Sequence, residues 1–236
     1  MHVEPPGHAP QTLKEFGTHY LMIVLGILTA IGIEQGVEAV HHRHLAEQAT
    51  GQIEQELRAN LEQARITQQQ NQQRLDAVEL VEAAVLQDVE KKDESLETFR
   101  QRIKAVKIGT FTPTLRRDAW DAAIASQALS YVDPATVRRF SEGYSAQRDV
   151  MQTILATFML GNWAGQWNDV ATNSRLGKVD QPALLRTLTA YRLALSAITG
   201  NERELEQAFS AAIGEKTASD QAASSASVPA SATPSK

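Results

Sequence analysis

Leu21-Met22-Ile23-Val24-Leu25-Gly26-Ile27-Leu28-Thr29-Ala30-Ile31-Gly32-Ile33 ends abruptly at Glu34, and this boundary organises the rest of the chain. Taken alone, so short a run suits a signal-peptide core or a buried helix as well as a membrane span. The flanks extend it. Phe16 to Ile33 contains no Asp, Glu, Lys or Arg, and as a helix it rises about 27 Å, close to the ~30 Å hydrocarbon core of a bilayer. Phe16 and Tyr20 suit one interface as amphipathic anchors, and His41-His42-Arg43-His44 suit the headgroups at the other. No proline or loop signal follows Ile33, so the pattern predicts one helix that leaves the lipid and continues into water.

Two other readings compete with a retained anchor. In a cleaved signal peptide, Val37 and Ala39 would supply the small-residue cleavage pattern, but Lys14 is outnumbered by Glu4 and Glu15 in what should be a basic leader. The third reading is a buried helix of a soluble domain. Orientation rests on Lys14 before the span against Arg43 after it, a tie in number. Lys14 lies closer to the apolar run and the N-terminal flank is short. The expected placement is therefore a single pass with the N-terminus inside and the bulk domain outside, which in a Gram-negative cell would mean the inner membrane and the periplasm.

Outward from the anchor the pattern is helical. Leu45, Ala49, Ile53, Leu57 and Leu61 keep one face, and regular apolar spacing resumes at Leu75, Val78, Val81, Val85 and Val89. Between them, Thr67-Gln68-Gln69-Gln70-Asn71-Gln72-Gln73 has no apolar residue and reads as a solvated helix segment. Asp93 or Ser95 can cap a second helix carrying Leu96, Phe99, Ile103 and Val106. Lys107 to Thr114, with Gly109 and Pro113, is a loop. A third helix is expected from near Leu115, burying Trp120, Ile124, Ala128 and Tyr131. Asp133-Pro134 opens a fourth, with Val137, Phe140, Tyr144, Met151, Ile154, Leu155 and Phe158 facing inward. Gly177 to Pro182 is the next break. Asp180 opens the last helix, with Leu184, Leu185, Leu188, Tyr191, Leu195 and Ile198, continuing through Leu205, Phe209 and Ile213 with a candidate break at Gly200.

No segment shows two-residue alternation between hairpin turns. The expected class is all-α, an N-terminal transmembrane helix extended into an antiparallel bundle of four to five helices. The expected organisation is a disordered N-terminus at 1–13, anchor and juxtamembrane helix at 14–40, helical bundle at 41–214 and a disordered Ala/Ser/Pro tail at 215–236.

Composition narrows the function. The chain has 236 residues, a net charge of −5 and no cysteine. Without a basic block, nucleic-acid binding is disfavoured. Without thiols, disulfides, thiolate nucleophiles and zinc–thiolate sites are excluded. All six histidines precede residue 45, and no P-loop, G-x-S-x-G or G-x-G-x-x-G occurs.

The densest polar cluster is Glu34, Glu38, His41, His42 and His44. Glu38-x-x-His41 has the spacing of carboxylate-bridged metal sites, but it occurs once and would need several helices to complete it. A polar collar that stops the span is the simpler reading, and a pH-responsive pairing of Glu with His is another. Gly32-x-x-x-Gly36 matches the close-packing motif of membrane helices, so a homodimer through the anchor is an expected partner alongside the lipid bilayer and another membrane protein. Trp163 and Trp167, one turn apart, read as core or as an aromatic ligand groove. No catalytic, cofactor-binding or metal residue is assigned.

Met1-His2-Val3-Glu4-Pro5-Pro6, Lys14-Glu15-Phe16, Tyr20 to Ala30, Glu34-Gln35, Ala119-Trp120-Asp121-Ala122-Ala123 and Tyr144-Ser145-Ala146-Gln147-Arg148 together resemble an uncharacterised proteobacterial family of single-pass membrane proteins. The resemblance covers most of residues 1–200. It implies an N-terminal anchor with a helical domain and carries over no activity. The expected function is binding or scaffolding by a membrane-anchored bundle. The alternatives are a small-ligand sensory module working through a partner, or an enzyme using the Glu/His collar or carboxylates of the bundle.

Overall fold

The computed structural model describes residues 13–89 and 95–215. The expectations for the two chain ends and for a cap at Asp93 lie outside the described residues. Among those described the fold is all-α, with no strand: α1 (Leu13–Val89), α2 (Leu96–Ala105), α3 (Asp118–Ala125), a 3-10 turn (Ala128–Tyr131), α4 (Pro134–Leu160), α5 (Trp163–Arg175) and α6 (Gln181–Ala212).

Helix α1 has 77 residues and is about 115 Å long. Its first part is the apolar run. Its second part is the spine of the bundle, with Ala49, Ile53, Leu57, Leu61, Ala64, Leu75, Val78 and Val85 buried along one face. Helix α6 runs antiparallel against that face. Arg65 pairs with Glu206 at 2.9 Å near one end, and Arg192 pairs with Glu82 at 2.6 Å near the other. Helix α4 runs parallel to α1, since Glu56 meets Tyr144 and Asn60 meets Gln147.

Three helices start on side-chain caps. Ser95, Asp133 and Asp180 accept from the backbone N–H of Thr98, Thr136 and Ala183, a bond worth about 1 kcal/mol each.

The core has two parts. The part nearer the apolar run packs Ile53, Leu57 and Leu61 with Phe140, Tyr144, Leu205 and Phe209. The part farther away packs Val78 and Val85 with Phe99, Trp163, Leu188, Tyr191 and Leu195. Gly143 lets α4 and α6 approach closely. A Cβ there would lie 3.0 Å from the Cβ of Ala212.

Several expectations are corrected in detail. The third helix begins at Asp118 rather than near Leu115 and ends before Gln127, whose φ of 59° turns the chain into the 3-10 segment. Ile124 and Tyr131 are about half exposed rather than buried, while Trp120 and Ala128 are buried as expected. The stretch before Gly177 is two helices, because Trp163 folds back on Gly161. A Cβ at Gly161 would stand 2.5 Å from Trp163 Cδ1 and 3.0 Å from the Thr157 carbonyl. At Gly200, α6 continues unbroken. The glutamine-rich part of α1 is helical, but it is not simply solvated, since Thr67 and Asn71 are buried there.

Candidate functional site

Residues 106–117 form an extended strap that runs along α1 and joins α2 to α3. Its polar backbone is met by side chains. Asn71 donates to the Phe111 carbonyl at 2.9 Å and accepts from the Phe111 N–H at 2.8 Å. Asn60 does the same for Arg116, at 2.7 and 2.9 Å. Arg74 donates to the carbonyls of Lys107 and Gly109 and stacks on the Phe111 ring at 4.3 Å. The Tyr191 hydroxyl donates to the Gly109 carbonyl at 2.6 Å and accepts from the Gly109 N–H at 3.1 Å. Gly109 has φ 131°, a conformation that side chains rarely adopt.

The strap and α4 enclose a groove of about 610 Å³. Its floor and one wall are the α4 face carrying Tyr144, Met151, Ile154, Leu155 and Phe158, and Thr110 and Thr112 of the strap form the facing rim. Among the described residues, the only charged ones lining it are Arg117 and Arg148. Their carboxylate partners, Asp121 at 3.0 Å and Asp149 at 3.3 Å, lie outside the lining. Beneath the groove the Tyr144 hydroxyl donates to Glu56 Oε1 at 2.6 Å, and Glu56 Oε2 accepts from the Ala119 N–H at 3.0 Å. Burial, and then the bond to Glu56, push the Tyr144 hydroxyl far above the ordinary phenol range, so it stays a donor.

A second buried polar cluster sits under the middle of the strap. Glu202 is fully buried, Asn71 donates to its Oε1 at 2.8 Å, and its Oε2 has no partner among the described residues. Burial pushes this carboxyl up to about 7, with the Asn71 and Thr67 side chains opposing the shift.

The collar residues are only partly brought together. His42 approaches Glu38 at 3.8 Å, rather than His41 approaching it, and the His42 ring stacks on Tyr131 at 3.8 Å. Among the described residues no group of three His, Asp or Glu is placed to hold a metal ion. At Gly32 and Gly36 an added Cβ would meet nothing within 4 Å. Trp163 is buried 4.8 Å from Tyr191 and edge-on to Phe158, and Trp167 packs half-buried against the same core cluster. The two indoles are therefore core, not a ligand groove.

Sequence reasoning placed Leu155 and Phe158 inside, whereas they are 61% and 46% exposed. The signal that could have found the groove is the excess of large apolar residues at the end of α4. Met151, Ile154, Leu155, Phe158 and Met159 are more than one buried stripe can hold.

Comparison of the chain with protein-family models, with curated proteins and with solved structures finds no match.

Proposed function

We propose that this chain is a single-pass inner-membrane protein whose helical bundle works by binding or scaffolding at the membrane surface and carries out no chemistry of its own. Among the described residues one helix is long and apolar enough to cross a membrane. The observation that carries the reading is that its apolar window is 0% buried within the chain, while the same uninterrupted helix forms the spine of the bundle. A core helix of a soluble domain would bury that face. The Thr29 hydroxyl donates to the Leu25 carbonyl at 2.8 Å, so this polar side chain is satisfied within the helix, as lipid requires.

Retention of the anchor is supported by the unbroken helix through Val37 and Ala39. The stacking of His42 on Tyr131 begins the bundle just over two turns after Glu34. The proposed orientation, with the bundle in the periplasm, rests on Lys14 lying closer to the apolar run than Arg43 does. The proposal includes the family suggested by the sequence resemblance.

Carbonate washing of membranes, with intact-mass measurement of the retained protein, tests the reading. The expected result is retention in the pellet with residues 14–40 present. Quantitative release into the soluble fraction, or a mature chain beginning near Val40, would refute it. A second reading, a sensory module for a small ligand, is favoured by the groove between α4 and the strap. The collar supports an enzyme least, because its described side chains offer a single Glu–His pair.

A further inference from the structure

Resting on the binding reading above, we infer that the groove between α4 and the strap is a site for a free, single-tailed anionic amphiphile of the fatty-acid class. Its volume of about 610 Å³ lies within the usual ~300–1,000 Å³ of small-molecule sites, which are largely apolar with a few placed polar groups. The division of its lining matches such a molecule. Met151, Leu155 and Phe158 supply an apolar track along successive turns of one helix face. Arg117 and Arg148 line it as well, Arg148 one turn beyond Tyr144 on α4, and among the described residues no carboxylate lines the groove.

A carboxylate placed there meets two guanidinium groups whose present partners are exposed surface aspartates. Asp121 and Asp149 are 61% and 67% exposed, and pairs of that kind are worth little in water. Exchanging them for a ligand head therefore costs little, while covering the exposed Leu155 and Phe158 is favourable. A phospholipid of the host bilayer fits less well. The Tyr144 end of the groove lies beside Glu56, which follows the apolar run at Ile33 by about 35 Å of helix.

Two of the three tryptophans report on the site. Trp120 lies 5.2 Å from Tyr144, and Trp163 lies 5.7 Å from Phe158. The experiment is quenching of tryptophan emission in the full chain, reconstituted in phosphatidylcholine vesicles and titrated with 11-bromoundecanoate or with neutral 11-bromoundecanol. Bromine quenches only at short range, so acid dissolved in the bilayer does not reach these indoles. The expected result is saturable quenching by the acid, with the alcohol binding about tenfold more weakly. The double variant R117Q/R148Q should lose about the same factor for the acid. Leu155→Asp, a change at an exposed position, should abolish saturable quenching while leaving the helical circular-dichroism signal intact.

Non-saturating quenching, equal affinity for acid and alcohol, or an unchanged R117Q/R148Q would overturn the inference. So would quenching by bromine-labelled phosphatidylglycerol built into the vesicle, which would make a membrane lipid the occupant. The chain contains no cysteine, so a single Leu155→Cys variant can be tested with a thiol cross-linker. Cross-linking between two copies in the vesicle would put a second copy, not an amphiphile, on this face. Protein that stays in carbonate-washed membranes yet fails these tests would defeat the ligand assignment and leave the anchor standing.

Discussion

The buried carboxylate of Glu202 makes the bundle's stability depend on pH in a direction opposite to that of a salt-bridged acid. Burial raises its carboxyl from an ordinary 4.5 to about 7, so the folded state prefers the protonated form. The stabilising contribution is complete below the unfolded value and is lost as pH rises from about 4.5 through 7. At about 1.4 kcal/mol per pH unit, the displacement amounts to roughly 3 kcal/mol, of which about 2.5 kcal/mol falls between pH 5 and pH 8. Glu202→Gln keeps an acceptor oxygen for Asn71 and removes the ionisation.

The assay is urea unfolding of the full chain in detergent micelles at pH 5, 6, 7 and 8, followed by tryptophan emission. Trp120, Trp163 and Trp167 all belong to the bundle, so the signal reports on it rather than on the anchor. Other groups titrate in this range, and the difference between wild type and Glu202→Gln isolates this one. Wild type should lose roughly 2–3 kcal/mol relative to the variant on going from pH 5 to pH 8. A difference that is flat with pH, or one that grows in favour of wild type, would refute the argument that desolvation governs this carboxyl.

Two further outcomes test the strap and the helix break. Asn71→Ala leaves the Phe111 N–H and carbonyl and the Glu202 carboxyl without their shared partner; it should cost about 3 kcal/mol, and amide exchange at Phe111 should accelerate before exchange at Arg116 does. Gly161→Ala drives a methyl into Trp163 and the Thr157 carbonyl; it should destabilise the bundle by about 1–3 kcal/mol, with a shift in tryptophan emission that Gly165→Ala does not produce.

The helices were readable wherever one face had to be buried. The seam Ala49, Ile53, Leu57, Leu61 and the caps at Ser95, Asp133 and Asp180 carry local signals, and the structure uses each of them. What escaped was decided by tertiary neighbours. Asn60, Thr67 and Asn71 look like solvent residues on the page, and only the strap and Glu202 make their burial favourable. Leu155 and Phe158 look like core, but the chain turns away at Gly161 and leaves them without a covering layer. The break itself depends on Trp163 reaching back two residues, and helical periodicity carries no trace of that.

The two asparagines also set where the strap lies. A 77-residue helix with a repeating apolar seam offers several nearly equivalent heights at which a loop could pack. Asn60 and Asn71 are three turns apart, about 16 Å along the axis. Phe111 and Arg116 span about the same distance as extended chain, since five residues at ~3.3 Å each give roughly 16 Å. The strap therefore runs antiparallel to α1 with both amide pairs made at once. Pro113 is buried between the two pins, and it has no N–H left to satisfy. A shift of one turn in either direction would break the pairing of four strap backbone groups with these two amides, leaving Asn60 only its bond to Gln147 and Asn71 only its bond to Glu202. Apolar packing alone does not impose such a penalty. The height of the strap fixes the rim formed by Thr110 and Thr112, and so the groove owes its dimensions to two polar residues on the far side of the backbone it is built from.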